Sequence, residues 1–103
     1  MSFYVVLKMK DKLHDLIENG YFEKIATKYN LRYEKTPNKL IIGDCEVFRI
    51  GDIYKVSWYS EKEFDSYYNE AYALWVADML STKGFMLTNL KKEGDAILLE
   101  VTK

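Results

Sequence analysis

The chain has 103 residues, 49% hydrophobic and 16% aromatic, which suits a single domain (1–103) with a core that needs no covalent staples. Fifteen basic residues against sixteen acidic ones leave a net charge of −1, so the total shows no electrostatic footprint for nucleic acid. One Cys and one His exclude an internal disulfide and a recognisable zinc site, and apolar runs of only a few residues exclude a membrane-spanning helix.

Phe3, Val5, Leu7 and Met9 alternate with Tyr4, Val6 and Lys8. This predicts an opening strand that is apolar on nearly both faces and therefore central in its sheet. No basic leader precedes it, which leads to the expectation of a cytoplasmic protein. Asp11 is placed to cap a helix whose apolar positions are Leu13, Leu16, Ile17, Phe22, Ile25, Ala26 and Tyr29. The turn dipeptide Asn19-Gly20 falls inside it, and one kinked helix is expected, since an interior Gly costs only ~1 kcal/mol.

From Leu31 to Tyr59 the period changes to two. Leu31, Tyr33 and Lys35 begin a strand, and Thr36-Pro37-Asn38-Lys39 reads as a turn with Pro fixing its first corner. Gly43-Asp44, Gly51-Asp52 and Gly94-Asp95 then each separate two strand-like runs, as two-residue hairpin turns do when the first corner needs a positive φ. Tyr54, Val56 and Trp58 alternate with Lys55 and Ser57, which predicts a face packed against helices and a wet reverse.

Ser60 to Gly84 carries helix signals at both ends. Ser60 and Glu63 have capping-box spacing, while Lys83-Gly84 suits a left-handed C-terminal residue beside a favourable charge. At 100° per residue the apolar arc from Phe64 to Thr82 is wide, which predicts deep burial in a sheet or partial cover by a second chain. Phe85–Leu90 and Ala96–Val101 then form a closing hairpin through residues 91–95, and AILLEV, apolar on both faces, belongs in a central position or at a dimer contact. The sum is an α+β protein with an antiparallel sheet, in the order strand, helix, meander of about four strands, helix, hairpin, and with both helices on one face. Tyr4, Tyr33 and Tyr59 remain to line an uncovered sheet face as a partner surface.

The candidates for chemistry are few. His14 and Glu18 form an ordinary i,i+4 pair, Cys45 opens a strand as a small hydrophobe, and no glycine-rich phosphate loop occurs. Asp78 lies at the edge of the long helix's apolar arc, where a carboxylate needs a partner such as a tyrosine hydroxyl or Arg49. A ligand pocket under the 61–83 helix would use Tyr68, Tyr72, Trp75, Asp78 and Arg49.

Both ends of the chain resemble a small family of unknown function that includes a conserved reading frame of plastids and cyanobacteria. The likeness rests on Met1-Ser2 with Tyr4, Lys8 and Asp11, on Tyr72-Ala73 in the last helix, on Gly84-Phe85 at its exit, and on Glu93-Gly94-Asp95 before an aliphatic strand. Asn69-Glu70-Ala71 stand where that family carries glutamine-arginine. The resemblance implies an element order and no reaction.

The leading expectation is a non-enzymatic interaction module, a homodimer or an accessory subunit of a larger assembly, without cofactor, metal or membrane partner. A nucleic-acid-associated factor is the alternative, using Lys8, Lys10, Lys12, Lys91 and Lys92 beside sheet tyrosines. A small-ligand binder or enzyme at the helix pocket is the third reading. Abundant Lys and Glu suit a hot-environment source, although an AT-rich genome produces the same bias.

Overall fold

The computed structural model describes residues 2–7, 12–51, 53–93 and 96–103. Its elements are β1 (Ser2–Leu7), α1 (Leu13–Glu18), α2 (Tyr21–Tyr29), β2 (Tyr33–Thr36), β3 (Lys39–Ile42), β4 (Cys45–Ile50), β5 (Ile53–Val56), a 3-10 turn (Trp58–Ser60), α3 (Glu61–Ser81), β6 (Met86–Glu93) and β7 (Ala96–Thr102). This is the α+β order expected from the sequence.

The strands divide between two antiparallel sheets, β2-β3-β4-β5 and β1-β7-β6. The long helix explains the division. Phe64, Tyr68 and Ala71 are buried on one side of α3, against α1, α2 and the four-stranded sheet. Ala73 and Val76 are buried with Leu99 of the three-stranded sheet. At 100° per residue these two sets point well apart around the helix, so the wide apolar arc reflects two sheets sharing one helix. Tyr72 and Trp75 touch both clusters and join them. The molecule is accordingly elongated, 43 × 27 × 26 Å, with α3 running about 31 Å at the usual rise per residue.

Three local departures have physical causes. The expected kinked helix is two helices, because Gly20 takes φ +77° and lets each piece bury its own residues, Leu16 and Ile17 from α1 and Tyr21, Phe22, Ile25 and Ala26 from α2. The capping box is absent. Ser60 does precede α3, but the 3-10 turn aims its hydroxyl back at the Ser57 carbonyl (3.1 Å), and Glu63 accepts a hydrogen bond from the Tyr67 hydroxyl (2.8 Å). Among the described residues the opening strand β1 is an edge strand that pairs with β7 alone. Its two-sided apolar pattern fixes which faces it offers and says nothing about how many neighbours it has.

The C-terminal signal of α3 holds. Gly84 has φ +87°, and the amides of Gly84 and Phe85 donate to the carbonyls of Ser81 and Leu80, the Schellman pair. The Pro37-Asn38 and Gly43-Asp44 turns close β2–β3 and β3–β4, with Thr36 opposite Lys39 and Ile42 opposite Cys45. Gly51 begins the turn between Ile50 and Ile53, while Asp52 and Gly94-Asp95 lie outside the described residues. Strand β6 runs on to Glu93, so the final hairpin is longer than its sequence suggested. Within it β7 is central, as AILLEV required.

Candidate functional site

The side chains most suited to chemistry are committed elsewhere. Cys45 is fully buried, and burial together with the nearby Glu63 carboxylate pushes its thiol up to about 12, so it stays protonated and unreactive at neutral pH. His14 does not pair with Glu18: its Nδ1 lies 2.7 Å from the Tyr54 hydroxyl, and Glu18 meets Lys35 at 3.6 Å. Asp78 accepts a hydrogen bond from the Tyr21 hydroxyl at 2.7 Å and lies 3.5 Å from Lys24. Burial and that carboxylate raise the Tyr21 hydroxyl to about 12. Asp78 therefore ties α2 to α3, and its partner is the tyrosine hydroxyl rather than Arg49. Farther along the same helix pair, Lys28 and Tyr29 both reach Glu70 (2.7 and 2.8 Å).

The five residues expected at a helix pocket are spread out. Tyr68 is fully buried in the first core, with its hydroxyl accepting from the Lys12 amide at 3.2 Å. Tyr72 stands 6.0 Å from Tyr68 and 5.6 Å from Trp75, ring to ring, and these three form a packed aromatic column. Asp78 lies in a shallow cleft with Gly84, Met86 and Leu87, whereas Arg49 lines a different cleft with Lys35 and Tyr54. The lysines are likewise dispersed. Lys8 and Lys10 lie outside the described residues, Lys12 precedes α1, and Lys91 and Lys92 lie on β6, in the other sheet.

One face of the four-stranded sheet is covered by the helices, and over the other no described element lies, although Ile41 at its centre is itself buried among its neighbours. Leu40, Ile42, Cys45 and Val47 belong to the core face. On the reverse, cross-strand pairing sets three rows. The first holds Glu34, Ile41 and Glu46, the second Thr36, Lys39, Phe48 and Lys55, and the third Ile50 and Ile53. Phe48, Ile50 and Ile53 are 39%, 61% and 63% exposed. Lys39 bridges Glu46 at 3.5 Å and lies 5.5 Å above the Phe48 ring, as neighbours on one face should. These are not the aromatics that the sequence suggested: Tyr33 packs on the core side, Tyr59 is exposed in the 3-10 turn off the sheet, and Tyr4 has no described side chain. The signal for Phe48 and Ile50 was present in CEVFRI, where they oppose Val47 and Arg49. Alternation alone cannot say which face the helices take.

Among the described residues no three His, Cys, Asp or Glu side chains gather into a metal-holding group, and no helix is long and apolar enough to cross a membrane. No protein-family model, curated protein or solved structure matches the chain.

Proposed function

We infer that this protein is an interaction module that pairs with a second copy of itself through the outer face of the four-stranded sheet. The observation that carries this is the contiguous set Phe48, Ile50 and Ile53, each more than a third exposed on a face that no described element covers. Exposed apolar surface of this kind, rimmed by charges, is characteristic of association sites. The charge pattern admits a self-partner. Glu46 already meets Lys39 and Glu34 meets Arg32 within one copy, so the face carries no large charge of one sign to repel a second copy.

The footprint is small, roughly 19 by 13 Å from ordinary strand spacings. At about 250 Å² per partner it falls well short of the ~1,000 Å² in total that a stable interface needs, so the pairing is weak and concentration-dependent. A nucleic-acid partner has less support, because Glu34 and Glu46 share the face with Lys39 and Lys55. A cytoplasmic location belongs to the same proposal, supported by the single unpaired cysteine.

Sedimentation velocity from ~10 μM to ~1 mM tests the reading, a range that brackets the dissociation constants expected for weak pairs. A monomer–dimer equilibrium is expected, and Phe48→Ser combined with Ile50→Ser should abolish it while leaving the circular dichroism spectrum unchanged. A wild-type chain that stays monomeric throughout, or a double variant that associates as well as wild type, overturns it. Native mass spectrometry of material from its own source distinguishes a dimer from a complex with a different subunit.

A further inference from the structure

A second feature of the four-stranded sheet lies on its core-facing side, where β2, β3 and β4 run past the end of α1. A cleft of about 350 Å³ opens there, in the size range of small-molecule sites. Its floor is apolar, made by Ile17, Leu40 and Val47, and its rim carries Arg49, Lys35 and Tyr54. We propose that this cleft binds a small molecule bearing one carboxylate on a flat apolar body, independently of the pairing inferred above.

Arg49 is the centre of the argument. It is half-buried, its Nε donates to the Gly51 carbonyl at 2.9 Å, and its guanidinium carbon lies 5.7 Å from the centroid of the Tyr54 ring. No carboxylate pairs with it among the described residues, and its two terminal nitrogens have no protein acceptor there. A planar guanidinium held at Nε with its outer nitrogens uncommitted matches a carboxylate bidentately. The other cations near the cleft are already neutralised. Lys35 faces Glu18 at 3.6 Å, and the ammonium of Lys39 meets Glu46 on the outer face. Among the described residues one positive charge is left over, which suits a single carboxylate better than a dianion. Tyr54 supplies a flat wall whose position is held by Arg49 on its face and by His14 at its hydroxyl. A flat apolar body can lie along that wall while its carboxylate reaches Arg49.

Benzoate is the simplest probe, and benzamide is the same ring without the charge. In a titration of the ¹⁵N-labelled chain, benzoate should produce saturable shifts confined to amides of residues 17–18, 35–36, 38–40, 47–51 and 53–54, and benzamide should bind at least ~10-fold more weakly, the loss expected when one charge-assisted pair is removed. Arg49→Met should weaken benzoate by a similar factor and leave benzamide unaffected, with Arg49→Lys falling between. Equal binding of the two probes, shifts scattered over the surface, or an undiminished response in Arg49→Met overturns the proposal. If Arg49→Met does not fold, the benzoate-to-benzamide ratio on the wild-type chain decides alone.

Discussion

Replacing Phe22 by Ala should destabilise the whole molecule, including the sheet that Phe22 does not touch. Phe22 is fully buried in the first core and stacked on Phe64 with ring centroids 5.4 Å apart and planes 9° apart. Removing a buried phenyl ring costs about 3–5 kcal/mol, through lost transfer energy and the cavity left behind. A domain of this size has about 5–15 kcal/mol in total. At about 4–8 °C per kcal/mol, the midpoint of thermal unfolding should fall by at least ~12 °C. Because α3 is buried in both cores and Tyr72 and Trp75 belong to both, the loss should reach β7. Hydrogen exchange reads this directly. A loss of 3 kcal/mol accelerates globally limited exchange by roughly 100-fold, since 1.4 kcal/mol is a factor of ten. The amides of Leu99 and Val101 should speed up by that factor along with those of α2. Conversely, Leu99→Ala, costing about 2–5 kcal/mol, should deprotect α2. Two separate unfolding transitions, or a β7 unmoved by Phe22→Ala, would refute the idea of a shared helix coupling the two sheets.

Three further outcomes follow from the polar contacts and the buried thiol. Tyr21→Phe removes the hydroxyl that meets Asp78 at 2.7 Å and should cost about 1–2 kcal/mol in denaturant unfolding, with most of that loss absent in an Asp78→Asn background. Stability should also fall at alkaline pH. Cys45, Tyr21 and Tyr67 are all raised to about 12 in the fold from ordinary values of 9.0, 10.0 and 10.0, so the folded chain holds these protons more tightly than the unfolded one. Their contribution is fully present below about pH 9 and is lost progressively towards pH 12. Denaturation curves at pH 7, 9 and 11 check the trend, and a flat profile would contradict it. The same protonated, buried thiol should resist iodoacetamide at pH 8 until the chain is unfolded.

Much of the architecture was legible because turn chemistry and periodicity act locally. Pro37-Asn38, Gly43 and Gly51 each mark a hairpin where a fixed or positive φ is needed, and Gly84 ends α3 for the same reason. What could not be read was pairing over distance. The alternation in β1 is the same whether it has one neighbour or two, and nothing in residues 2–7 announces that their partner is β7. The capping-box spacing of Ser60 and Glu63 is not realised because the 3-10 turn before α3 orients the Ser60 hydroxyl towards the Ser57 carbonyl, away from the amide it would accept from. The outer-face residues suffered from a symmetry: CEVFRI offers two alternating sets, and only the tertiary placement of α1 and α2 decides that Val47 is covered and Phe48 is not. Arg49 stood out in the sequence as a charge on the face of Val47. Its proximity to Tyr54 comes from the β4–β5 register, which places the two directly opposite each other.

The pairing of β1 with β7 also governs how the chain is assembled. Ser2 lies opposite Thr102 and Leu7 opposite Ile97, so these contacts enclose nearly the whole sequence in one loop. The helices and the four-stranded sheet are built from residues 13–81, and the part of α3 that carries Ala73 and Val76 waits for β7 to be covered. During synthesis β1 therefore precedes its partner β7 by every element from α1 to β6. During that interval a strand patterned with Phe3, Val5 and Leu7 has both edges open. Closing so long a loop is slow relative to forming the local β6–β7 hairpin.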